Sequence, residues 1–177
     1  MSAIDEARES YERQLREPWK ANISGAERVW MLTYQPDSER RLRHRLPSFE
    51  TSTVAAARGW QLIDVTSSFE KWLEQHEYRD EYLSDPSALQ FGALDDFADR
   101  LAVEVSEQLE AADENTVSVL LGAASLFGLV RLSSLLAVVS SRIPGRLLVL
   151  FPGVRDDNNY RLLDGHDGWN YLAVPIN

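Results

Sequence analysis

Thr116–Gly153 reads TVSVLLGAASLFGLVRLSSLLAVVSSRIPGRLLVLFPG, and the fold turns on how this stretch is read. It contains two runs, Thr116 to Leu121 and Arg146 to Phe151, that are apolar on both alternating faces. A strand wetted on one side alternates apolar with polar residues, whereas a strand covered on both sides reads as a near-continuous apolar run. The two runs therefore predict central strands of a sheet with helices above and below. Between them Leu129 to Ser141 is apolar most of the way round, which predicts a buried helix ended by Gly145. Strand, helix, strand in this order joins parallel neighbours. Ser118, Gly122, Ser125, Gly128, Arg131, Ser133 and Ser134 interrupt the stretch, so it falls short of the roughly 20 apolar residues of a membrane span.

Working outward, Val29 to Tyr34 and Trp60 to Val65 are short runs of strand formers, and Trp169 to Ile176 predicts a fifth strand, with Pro175 placing it at a sheet edge. Helices are expected at Asp5–Glu17, at Glu39–Arg45 up to Pro47, at Ser48–Arg58, at Thr66–Gln75 and at Leu89–Ala112, where Leu94, Phe97, Leu101, Val105 and Leu109 mark one face. The first of these has few apolar residues and is expected to be an exposed N-terminal helix within residues 1–20. Residues 76–88 and Val154–Gly168 are polar and predict loops. The order predicts one α/β domain over residues 1–177. It is a mainly parallel five-stranded sheet with helices on both faces, Rossmann-like or resembling a degenerate P-loop domain without a Walker A motif.

The 177 residues contain no Cys, which excludes disulfides, thiolate metal sites and cysteine nucleophiles, and no signal peptide is visible in the charged N-terminus. A cytoplasmic protein is expected. The net charge of −10 is concentrated. Residues 70–114 carry fourteen acids against Lys71, Arg79 and Arg100. Such a face disfavours direct nucleic-acid binding and serves either as a solubilising surface or as a docking face for a basic partner. The opposite charge gathers at Arg40, Arg41, Arg43, His44 and Arg45, which reads either as a solvated face, paired or not with the acidic helix, or as a contact for nucleic acid or an acidic partner.

Ligands of such sheets sit beyond the carboxyl ends of the strands. Gly122-Ala123-Ala124-Ser125-Leu126-Phe127-Gly128 lies there, but a P-loop needs a different glycine spacing followed by Lys, and no G-x-G-x-x-G is present. Ser125 lacks the flanking glycines of a nucleophile elbow, since Ala123 and Phe127 stand in their place. The sixth position counted from Asp156 is Arg161, not the Gly of a calcium loop. His166 between Asp164 and Asp167 has no second His near it. No catalytic residue, metal site or cofactor is assigned. The candidate partner- or ligand-binding residues are Arg131, Asn159, Tyr160, Arg161, Asp164 and Trp169. Arg131 enters its helix as a cation in an apolar region, and serves either as a contact or as one half of a structural ion pair with Asp164 or Asp167.

Three segments, LFGLVRLSSLL (Leu126–Leu136), RLLVLFPG (Arg146–Gly153) and NNYRLLDGHDGWNYLAVPI (Asn158–Ile176), resemble the BrxB family of bacteriophage exclusion (BREX) systems. The resemblance runs from about Val29 to the C-terminus. It implies a cytoplasmic bacterial protein that acts in phage defence beside a phosphatase-like protein, a DNA methyltransferase and a large ATPase. It implies no catalytic residues. The expectation is a non-enzymatic assembly subunit; a degenerate nucleotide- or small-ligand-binding domain is the alternative.

Overall fold

In the computed structural model, which describes residues 1–162 and 169–176, the central sheet is parallel. Its strands are β1 (Val29–Tyr34), β2 (Gly59–Asp64), β3 (Thr116–Leu121), β4 (Arg146–Asp156) and β7 (Val174–Pro175). They lie in the order β2-β3-β4-β1-β7, every neighbouring pair parallel. The two apolar runs sit inside, as expected. All six residues of β3 are buried, as are Arg146–Gly153 of β4. Pro175 lies on the edge strand, pairing with Met31, where its missing N–H costs no ladder bond on a second side.

Alternate residues of each strand feed two separate cores. Leu147, Val149 and Phe151 join Phe97, Leu101, Val105 and Leu109 of α5 (Ala93–Glu110) and Leu132, Leu135, Leu136 and Val139 of α6 (Leu132–Val139). Leu148 and Leu150 join Trp30 and Leu32 with Ile4, Tyr11 and Leu15 of α1 (Ala3–Arg16) and Leu42 and Phe49 of α2 (Glu39–Ala55). Each such side chain removed from water contributes about 1.5–3 kcal/mol, so both helical layers are held through one sheet.

Several boundaries differ from the sequence reading. Helix α1 is not simply exposed: Ile4, Ala7, Tyr11 and Leu15, spaced three and four apart, bury one face completely, and the polar and charged residues between them meet water. Pro47 does not interrupt α2. Leu42 and Phe49 on either side are fully buried, and this packing outweighs the amide bond that Pro cannot make. Helix α5 begins at Ala93 rather than Leu89, because Gly92 takes a left-handed backbone with φ +99°. Helix α6 is shorter than expected, with a 3-10 turn at Ser140–Arg142 after it. Residues 76–88 hold a short helix, α4 (Arg79–Ser84), and the start of a 3-10 turn at Pro86–Gln90.

The largest difference follows β4. The strand continues three exposed residues past the sheet and returns as β5 (Asn159–Leu162), an antiparallel hairpin turned at Asp157-Asn158. Asp157 has φ +52°, a conformation Asp tolerates better than most side chains. The expected fifth strand is divided. Trp169–Asn170 (β6) pairs with β5, and Val174–Pro175 joins β1, so one apolar run serves two partners.

At the amino-terminal rim, Arg146 is buried and donates to the carbonyls of Gly145 and Lys20, each at 2.9 Å. Its guanidinium lies 4.8 Å from the Trp19 ring centroid, and that of Arg58 lies 3.8 Å away. Burial, then the charges of Arg28 and Arg58, push the Arg146 pKa down. Arg28 is held at the same rim by the carbonyls of Pro144, Gly145 and Ala21.

The burial of α1 makes a direct prediction. Tyr11 is fully buried and its hydroxyl shares a 2.6 Å hydrogen bond with Thr53. Tyr11→Phe removes that bond and is expected to cost about 1 kcal/mol in urea unfolding. An exposed helix would show no change.

Candidate functional site

The crevice beyond the carboxyl ends of the strands is where a doubly wound sheet offers a site. Here it is crossed by the protein's own side chains. Tyr34 ends β1 and donates its phenol hydrogen to Glu39 in the first turn of α2. Arg43, one turn on, donates from Nε to Glu39 at 2.7 Å and from Nη2 to the Thr66 hydroxyl at 2.9 Å. Thr66 follows β2, and its hydroxyl and amide donate to the Asp64 carboxylate at 2.5 and 3.0 Å. Asp64 in turn lies 4.0 Å from Arg43 Nη1. One acid–base chain thus ties α2 to the ends of β1 and β2.

The glycine turn after β3 meets the same network. Gly122 has φ +94°, and a Cβ there would lie 2.7 Å from the Thr66 amide nitrogen. This glycine serves backbone contact with the β2 loop. Ser125 donates to the Gly122 carbonyl at 2.6 Å and to that of Val65 at 3.2 Å, so its hydroxyl locks the turn. After β1, where a P-loop could also stand, the chain reads Gln35-Pro36-Asp37-Ser38 with no glycine. Beside it a groove of about 570 Å³ is lined by Glu6, Ser10, Tyr34, Gln35 and Arg155 among others.

The candidate residues separate into two groups. Tyr160 pairs in backbone register with Trp169 across β5 and β6, and Asn159 with Asn170, so these positions are neighbours along the two strands. Tyr160 is fully buried with its ring edge-on to Phe151 at 5.8 Å, which makes it an anchor of the hairpin. Arg161 is exposed opposite Val154, and Asn159 is half-buried opposite Asp156. Arg131 corrects the expectation of a buried cation. It occupies the position before the first turn of α6 and is exposed, so it needs no compensating acid. Among the described residues no hydrogen bond or ion pair joins it to the hairpin. Asp164, Asp167 and His166 lie outside the described residues.

The basic cluster is also divided. Arg43 is taken up by Glu39 and Asp64, and Arg45 lies 3.8 Å from Asp5 of α1, while Arg40, Arg41 and His44 are exposed. None pairs with α5, which packs on the other side of the sheet. Sequence reasoning missed the Tyr34–Glu39–Arg43–Thr66 chain. Its one local signal was Glu39 and Arg43 four residues apart on a helix. Among the described residues no group of three acids or histidines is placed to hold a metal ion, and no helix is long and apolar enough to cross a membrane. No protein-family model matches the chain, and no curated protein or solved structure matches it.

Burial, reinforced by the Glu39 carboxylate, raises the Tyr34 pKa well above the ordinary phenol value of 10.0, and burial raises that of Tyr11. Above pH 10.0 the unfolded chain releases phenol protons that the folded chain retains, so stability present below that pH is lost as pH climbs past it. Urea midpoints measured across pH 10.0 are expected to fall, and Tyr34→Phe is expected to flatten the fall.

Proposed function

We propose that this chain is a non-catalytic assembly subunit of a bacteriophage exclusion system, of the BrxB kind, working in the bacterial cytoplasm with the phosphatase-like, methyltransferase and ATPase components. The observation that carries the reading is the β4–β5 hairpin. The most central strand of the sheet leaves the core and presents a polar ribbon, with Val154 and Arg161 exposed side by side and Tyr160 and Leu162 buried as its anchor. A ribbon rooted in the middle of a rigid sheet holds its shape before it meets a partner, which lowers the ordering cost of binding. The three segments that resemble BrxB proteins supply α6, β4 and this hairpin.

Co-expression with the other three components and capture through a tagged chain tests the proposal. The wild-type chain is expected to retain at least one of them. Val154→Glu with Arg161→Glu is expected to lower that recovery about tenfold, because it replaces the apolar and the cationic side chain that the ribbon presents, while the urea midpoint stays unchanged. A chain that remains alone in their presence overturns it.

A further inference from the structure

The connection from β2 to β3 contains more chain than the crossover uses. A parallel crossover needs about a dozen residues, usually one helix, and α5 alone fills that role. Before it come α3 (Ser68–Gln75), α4 and the Pro86–Gln90 turn, none of which contributes a fully buried residue. This added segment nevertheless carries large apolar side chains into water: Tyr78 is 51% exposed, Leu83 63% and Phe91, just after the turn, 88%.

Its aromatic rings form a continuous row from the core outward. Phe97 is buried and lies 5.5 Å from Trp72, Trp72 lies 4.7 Å from His76, and His76 lies 5.1 Å from Tyr82 and 5.8 Å from Tyr78. The Tyr78 amide donates to His76 Nδ1 at 3.1 Å, which holds the outer rings in place. Along the row runs a groove of about 490 Å³ between α3 and α5. Its charged lining is Glu77, Asp96 and Glu104, with Lys71 and Arg100 at the same groove. Trp72 Nε1 donates to Asp96 at 3.1 Å, so carboxylate and ring face are fixed beside each other.

We propose that this shoulder is a second interaction surface, built to hold a basic amphipathic segment of another protein. The occupant follows from charge. Residues 70–114 set fourteen acids against three cations, and among the described residues the ion pairs of those acids are Arg79–Asp80 and Arg142–Glu110. At the groove itself Glu77, Asp96 and Glu104 outnumber Lys71 and Arg100, and carboxylates beside exposed rings attract lysine or arginine, whose cations also sit well on aromatic faces. Apolar residues on the same segment would cover Tyr78, Leu83 and Phe91. A second copy of this acidic face, or a nucleic-acid backbone, is repelled by the same charge. The inference does not depend on which assembly the chain joins through its hairpin.

Titration of the full chain with a synthetic leucine–lysine amphipathic peptide tests this, with the ring signals of Trp72, His76 and Tyr78 followed by NMR. Those signals are expected to move saturably, and the same peptide with glutamate for lysine is expected to leave them unchanged. Tyr78→Ala with Phe91→Ala alters no charge and is expected to weaken binding about fivefold. Glu77→Lys with Glu104→Lys is expected to weaken it at least as much. Both pairs are exposed, so an unchanged urea midpoint confirms that each variant folds. Ring signals that stay still, equal binding of the glutamate peptide, or wild-type affinity in the aromatic pair would each overturn the proposal, the last by showing attraction through charge alone.

Discussion

Everything in this domain hangs on the pairing of β4 with two neighbours at once. Leu147 to Leu150 bond to β1 on one side, and Arg146 to Val149 bond to β3 on the other, with both faces closed to water. In that setting each backbone amide and carbonyl must find a partner within the protein, and the parallel ladder supplies them. The entry to the strand is correspondingly tight. A Cβ on Gly145 would stand 2.1 Å from the Thr116 carbonyl oxygen, so only glycine admits the two strands at their observed spacing.

The two rims of the sheet are closed by different chemistry. At the amino ends, guanidinium groups bond to carbonyls and stack on Trp19. At the carboxyl ends, a phenol, two carboxylates, a guanidinium and a hydroxyl satisfy one another. The second closure lies along the rim where sheets of this layering usually take a ligand, beside the groove lined by Glu6, Tyr34 and Arg155. The two surfaces proposed for recognition lie outward of the core, on the hairpin at one end and on the aromatic shoulder beside α5.

How much of this could be read in advance depended on how many faces of each element are covered. The double-sided burial of β3 and β4 leaves an unmistakable apolar run, and the four-residue spacing of Phe97, Leu101, Val105 and Leu109 marks a one-sided helix equally well. The hairpin escaped because only one side of it is covered: Tyr160 and Leu162 are its buried residues among Asn, Asp and Arg, which read as loop. Pro47 misled because the local penalty was visible and the burial of Leu42 and Phe49 that outweighs it was not. Arg131 misled in the opposite way. Its apolar neighbours in sequence point inward, while the residue itself precedes the first turn and points to water. The carboxyl-end network joins Tyr34, Arg43 and Thr66 across more than thirty residues of chain, and no local pattern announces such a contact.

The position of β4 also has a consequence for how the chain is made. During synthesis about four fifths of the polypeptide leaves the ribosome before Arg146 does. Until then β1 and β3 each lack the neighbour that separates them, since β4 is inserted between strands that come earlier in the chain. Their apolar edges must wait unpaired, a state prone to aggregation. A nascent chain halted just before residue 146 would therefore be a natural client for a holding chaperone, and release from it would coincide with the arrival of a single strand.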